Sequence, residues 1–162
     1  MNLDRSFGAA AGPGTRLLIL GSLPGQASLA AQQYYAHPRN GFWPLVGAVI
    51  DADLVALPYP VRLAALAAAG IGLWDVVGAA RRPGSLDSAI RDVEANDLAK
   101  LAASLPALRT VAFNGATAWR LGAPLLAGTE LELLRLPSSS PAHAAMPFDR
   151  KRAAWLLLRD RL

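Results

Sequence analysis

Apolar positions along the chain alternate between short uninterrupted runs and longer stretches with helical spacing. Residues 16–20 (RLLIL) form a run cut off by Gly21, the pattern of a buried strand. Residues 71–77 (IGLWDVV), 109–113 (RTVAF) and 130–136 (ELELLRL) read as three more strands, the third of the four ended by Asn114-Gly115 and the last by Pro137. Between and after them, helices are predicted over 41–50, 61–69, 89–104, 115–121 and 149–161. Pro44 is tolerable only in the first turn of its helix, and Gly70 stops the second. Residues 78–88 read as a polar loop. Strand–helix alternation predicts an α/β fold: a three-layer α/β/α sandwich around a central, mostly parallel four-stranded sheet. A length of 162 residues suits one domain spanning 1–162, with 1–15 expected as a flexible N-terminal segment.

In such sheets ligands bind beyond the carboxyl ends of the strands. Those ends are Gly21-Ser22, Asp75, Asn114-Gly115 and Pro137-Ser138, where the polar and glycine residues also cluster. The densest stretch runs from Gly21 to Trp43, GSLPGQASLAAQQYYAHPRNGFW, and its aromatic and amide side chains suit a flat polar ring near a phosphate.

Composition narrows the classes. The formal net charge is +4, which favours polyanions and nucleic acid above all. Arginines and Lys151 crowd the C-terminal segment at helical spacing. With no cysteine, disulfides and thiolate catalysis are excluded, and two histidines without clustered carboxylates argue against a metal site. No apolar run approaches the ~20 residues of a membrane span. A cytoplasmic monomer is expected.

Four segments together carry a resemblance. They are Gly21-Ser22-Leu23-Pro24-Gly25 with Tyr34-Tyr35 and His37-Pro38-Arg39-Asn40-Gly41-Phe42-Trp43; Leu73-Trp74-Asp75-Val76-Val77 followed by Gly84-Ser85-Leu86-Asp87; Phe113-Asn114-Gly115; and Leu136-Pro137-Ser138-Ser139-Ser140-Pro141-Ala142-His143. In order and spacing the chain resembles the uracil-DNA glycosylase superfamily, and within it the hypoxanthine (deoxyinosine) branch, related to the mismatch-specific uracil/thymine enzymes. The resemblance implies base excision repair. A deaminated base is flipped from the duplex and its N-glycosidic bond is cut by water, with no metal or other cofactor. Uracil or xanthine as the preferred base, or a mismatch-binding module without chemistry, are the competing readings. A dinucleotide-binding protein would share the fold, but no GxGxxG or Walker loop follows a strand.

The resemblance also implies roles. In the mismatch-specific relatives an Asn in the Gly-x-x-Pro-Gly turn orients the attacking water, and the matching residue here is Leu23. The implied replacement is Asn40, whose competing reading is a cap for the helix that follows. Asn114 is expected as the base reader, its amide donating to hypoxanthine O6 and accepting from N1–H, against a plain Asn-Gly turn. Tyr35 is expected to stack on the base, and Phe42 and Trp43 to fill the core. Asp75 is expected to act on water or support the site, or else to cap a turn or pair with Arg81 or Arg82. Gly21, Ser22, Leu23, Pro24 and Gly25 would floor the base pocket with His37, which also reads as a loop-fixing hydrogen-bonder. Ser85 and Asp87 would brace their loop. Ser138, Ser139 and Ser140 would meet phosphates. Pro141-Ala142-His143 aligns with the wedge that fills the gap left by a flipped nucleotide, and Arg39 and Lys151 would hold the DNA backbone.

Overall fold

The computed structural model describes residues 3–162; Met1 and Asn2 of the N-terminal segment lie outside the described residues. In chain order the elements are β1 (Leu3–Arg5), β2 (Leu17–Gly21), α1 (Gln26–Ala31), α2 (Phe42–Ile50), α3 (Tyr59–Ala68), β3 (Ile71–Asp75), β4 (Val77–Arg81), β5 (Arg91–Ala95), α4 (Leu98–Ser104), β6 (Thr110–Asn114), α5 (Ala116–Gly122), β7 (Glu132–Leu136) and α6 (Phe148–Leu156), the last continued by a 3-10 turn over Leu157–Arg161.

Four strands form the central sheet in the order β3-β2-β6-β7, and all three pairings are parallel. Alternation along β2 builds two cores. Leu17 and Ile19 pack with Phe42, Leu45, Leu66 and Trp155 from α2, α3 and α6. Leu18 and Leu20 pack on the other face with Leu98 and Ala118 from α4 and α5. The expected sandwich is therefore present, with its four-stranded sheet wholly parallel. Phe42 and Trp43 are core residues, as expected. Pro44 lies in the first turn of α2, where its missing N–H breaks no helical bond. Among the described residues no helix is long and apolar enough to cross a membrane.

Local expectations give way at several places. The run 71–77 is two strands: after Asp75 the N–H groups of Val76 and Val77 turn to the carbonyls of Gly21 and Ser22 (2.8 and 2.9 Å), and the chain leaves the parallel sheet. The polar loop at 78–88 begins as β4, which pairs antiparallel with β1 and β5 in a second sheet. The helix over 89–104 is β5 followed by α4. All five residues of β5 are exposed, so no buried face imposes a strand period on the sequence, and the helix begins only where Asp97 accepts the Lys100 N–H (3.1 Å). Within the N-terminal segment, Leu3–Arg5 pair with β4 and Ala10 bridges to Leu73. Helix α1, inside the Gly21–Trp43 stretch, has no counterpart among the elements expected from sequence.

Candidate active site

The carboxyl ends of β2, β3 and β6 open into one cavity of about 630 Å³, within the size range of small-ligand sites. Its floor is Gly21. A Cβ there would lie 2.6 Å from Asp75 Oδ1 and 3.0 Å from the Tyr35 hydroxyl, so glycine is what lets both groups close over the strand end. The following turn is held from below. Ser22 Oγ donates to Asp87 Oδ1 (2.7 Å), and the buried guanidinium of Arg82 donates to the carbonyls of Leu23 and Pro24 and pairs with Asp4 (3.2 Å). Gly25 precedes α1, whose first N–H is accepted by Ser85 Oγ (2.9 Å). Ser85 and Asp87 brace the site as expected, while Arg82 and Asp4 were not foreseen, because nothing in the sequence signals that β1 reaches this turn. Leu23 is buried against Val77 and Ala80 and is an apolar anchor for the turn.

Tyr35 stands at the wall with a positive φ of 55°, an uncommon conformation for a bulky residue. Phe42 stacks behind its ring at 3.8 Å and 16°, and Trp43 Nε1 donates to its carbonyl (3.2 Å). Burial and the Asp75 charge push its phenol well above the usual range. Tyr34, beside it, is buried and donates to the Gly8 carbonyl (2.7 Å).

The two asparagines are more constrained than expected. Asn40 lines the cavity and also caps α2: its Oδ1 accepts the Phe42 N–H (2.9 Å). Only Nδ2 remains, without a hydrogen bond to any described residue. Asn114 is committed at both ends. Its Oδ1 accepts the Ser139 N–H, and its Nδ2 donates to Ser139 Oγ (both 2.9 Å) and to the Tyr35 hydroxyl (3.3 Å). The free carboxamide expected for base reading is thus a brace between β6, Tyr35 and the serine loop. His37 Nδ1 accepts the Arg39 N–H (3.1 Å), so the neutral ring carries its proton on Nε2 and offers the cavity a donor.

Asp75 is buried, and its Oδ2 has no hydrogen-bond partner among the described residues. Burial, reinforced by the Asp87 charge and eased by Arg82, pushes its carboxyl up to about 7. The alternative reading, a pairing of Asp75 with Arg81 or Arg82, is not what the ion pairs show: Arg82 pairs with Asp4, and Arg81 reaches Asp92 at 3.5 Å.

On the far side, Ser139 is buried and its carbonyl accepts the Gly41 N–H (2.9 Å), which ties the serine loop to the start of α2. Ser138 Oγ and Ser140 Oγ accept the N–H groups of Ser140 and Ala142 (3.1 and 3.2 Å), leaving both hydroxyl protons as donors for an anion. Lys151, expected on the DNA backbone, is buried with Nζ on the Ser140 carbonyl (3.3 Å), and desolvation lowers its pKa. Arg39, Pro141 and Ala142 are exposed on the rim, and His143 is half-buried.

A backed aromatic ring, a donor amide and a buried carboxyl thus line one cavity. A sequence model of the uracil DNA glycosylase superfamily matches residues 9–159. This chain belongs to the uracil DNA glycosylase superfamily. It is 44% identical over 149 residues to the hypoxanthine DNA glycosylase of Methanosarcina acetivorans, covering 92% of this chain and 94% of that one. It is 43% identical over 137 residues to the hypoxanthine DNA glycosylase of Methanosarcina barkeri, covering 85% and 86%. The solution NMR structure of a Methanosarcina acetivorans protein, described as a candidate uracil DNA glycosylase, superposes with a TM-score of 0.86 at 42% identity over 97% of this chain and 99% of that one. The protein is a DNA glycosylase of this superfamily, and DNA is its macromolecular substrate.

Proposed function

We propose that the preferred base is hypoxanthine, flipped from DNA into the cavity and released by hydrolysis, with the protein acting as a monomer. The base lies on the Tyr35 ring, whose other face is backed by Phe42; such stacking is worth ~1–3 kcal/mol. Water attacks the sugar C1′, the C1′–N9 bond breaks, and its electron pair leaves with the base. Catalysis then needs a donor near the departing negative charge or the water, and an acceptor for a water proton. Asn40 supplies the donor through Nδ2, because its Oδ1 is taken by Phe42. The acceptor is Asp75, the buried carboxyl on the cavity, whose Oδ2 is unpartnered among the described residues. Leu23 has no polar atom, the amide oxygens of Asn40 and Asn114 are not bases, and Asp87 is exposed with Oδ1 on Ser22. Ser138 and Ser140 donate to phosphate on the rim.

The observation that carries this reading is the convergence of Tyr35, the free amide of Asn40 and the buried Asp75 carboxyl on one cavity. Duplexes carrying hypoxanthine, uracil or xanthine at one position, followed by alkaline cleavage of abasic sites, test it. Hypoxanthine is expected to be cut fastest; faster release of uracil or xanthine would reassign the substrate, and no cut on any would remove the activity.

A further inference from the structure

One wall of the cavity carries a residue that the chemistry above leaves unused. Leu86 is 57% exposed, yet its loop is fixed on several sides. Gly84 O and Ser85 Oγ both accept from Gln26 (2.9 Å each), Asp87 Oδ1 accepts from Ser22 (2.7 Å), and the N–H groups of Ala89 and Ile90 return to the carbonyls of Leu86 and Asp87 (3.0 and 3.1 Å). Residues 85–88 all line the cavity. The sheet order sets their position. The loop follows β4 and is tied to Ser22 after β2, whereas the serine loop follows β7 and is tied to Asn114 of β6, so the two loops reach the cavity from different strands of the sheet.

A nucleotide drawn out of a duplex leaves a gap in the stack, and apolar side chains elsewhere fill such gaps. The rim at 141–143 offers only Pro, Ala and a half-buried His. A single exposed leucine ordinarily needs no explanation. This one stands on a hydrogen-bonded loop that lines the cavity of an enzyme that acts on DNA, and residues 141–143 offer no large apolar side chain.

We propose that Leu86 inserts into the base stack where the flipped nucleotide has left, holding the duplex open from a different loop than Pro141-Ala142-His143. The inference rests on the flipping reaction proposed above. A wedge matters only where there is a stack to open, so the test compares inosine in a duplex with inosine in a single strand of the same sequence. In single-turnover cleavage, Leu86→Ala is expected to cut the duplex about tenfold more slowly, a change within reach of one buried leucine. It should cut the single strand within about twofold of the parent, and Leu86→Met should restore most of the duplex rate. Equal duplex rates for parent and Leu86→Ala, or equal losses on both substrates, would overturn the proposal. A 2-aminopurine placed next to the lesion reads insertion without cleavage: its fluorescence should rise on binding the parent and stay lower with Leu86→Ala, and no difference would count against Leu86. A parent that cuts no inosine would instead sink the substrate reading, while the fluorescence would still decide the fate of Leu86.

Discussion

Asp75→Asn is expected to make the protein more stable and less active at the same time. The carboxyl is buried with Oδ2 unpartnered among the described residues, and burial raises it from 3.8 to about 7. Between those values the folded chain holds a proton that the unfolded chain has lost, so stability falls as pH climbs through this window and levels off above it. Each tenfold change in proton affinity is worth about 1.4 kcal/mol, so the ionised carboxylate opposes folding by about 4 kcal/mol, and by about half that if water and side-chain relaxation screen it. Asparagine keeps the shape and removes the charge. Urea unfolding at about pH 5 and about pH 8.5 reads the part of the window above pH 5: relative to the parent, the variant should gain about 1–3 kcal/mol more at the higher pH. Single-turnover cleavage should fall by about 100-fold or more, whereas the parent's rate should rise through about pH 7 and then plateau. A variant that loses ground to the parent at high pH would refute the burial argument. A variant that gains stability yet cuts at the parental rate would leave that argument standing and remove Asp75 from proton transfer.

Other perturbations separate the remaining roles. Asn40→Asp keeps the oxygen that accepts from Phe42 and removes the free Nδ2, so stability should stay within about 0.5 kcal/mol of the parent while cleavage falls about 100-fold; a parental rate would make Asn40 a cap and nothing more. Gly21→Ala places a methyl 2.6 Å from Asp75 Oδ1 and 3.0 Å from the Tyr35 hydroxyl, so cleavage should drop at least about tenfold with an unchanged circular dichroism spectrum. Ser139→Ala leaves the buried Asn114 amide short of a partner and should cost about 1–3 kcal/mol in thermal unfolding; an unchanged melting temperature would mean that the loop is held by other contacts.

The layers of the fold were legible because three strands of the parallel sheet, β2, β6 and β7, are short and stopped by a residue with a physical reason to stop them: Gly21, Asn114-Gly115 or Pro137. The second sheet was not, because its members lack that signal. β5 is exposed at every position, and β4 runs on from β3 without punctuation, the break at Asp75–Val77 being set by bonds to Gly21 and Ser22, far back along the chain. The site shows the same division. Residue types suited to a flat ring were visible in the Gly21–Trp43 stretch, but which atoms are free is a property of partners far along the chain. The carbonyl oxygens of Asn40 and Asn114 look equivalent in sequence, yet one is consumed by the next helix and the other by Ser139.

That distribution bears on what Leu23 means. Losing a polar group from the turn would end the chemistry only if the turn were its sole source. Here the turn serves the site in another way. Gly21 leaves room for Asp75 and Tyr35 to meet over the strand end, and Leu23 anchors the turn in the small core under β4. A leucine is better suited than an amide to that anchoring, since a buried carboxamide would need partners that Val77 and Ala80 cannot supply. The proposed donor, Asn40, then sits on the loop that enters α2, held by the Phe42 N–H, and the proposed acceptor, Asp75, at the end of β3. Leu23→Asn is therefore expected to destabilise the protein by about 1–3 kcal/mol without raising the cleavage rate. A faster variant would show that the water still binds at the turn, and that Asn40 and Asp75 are accessory to it.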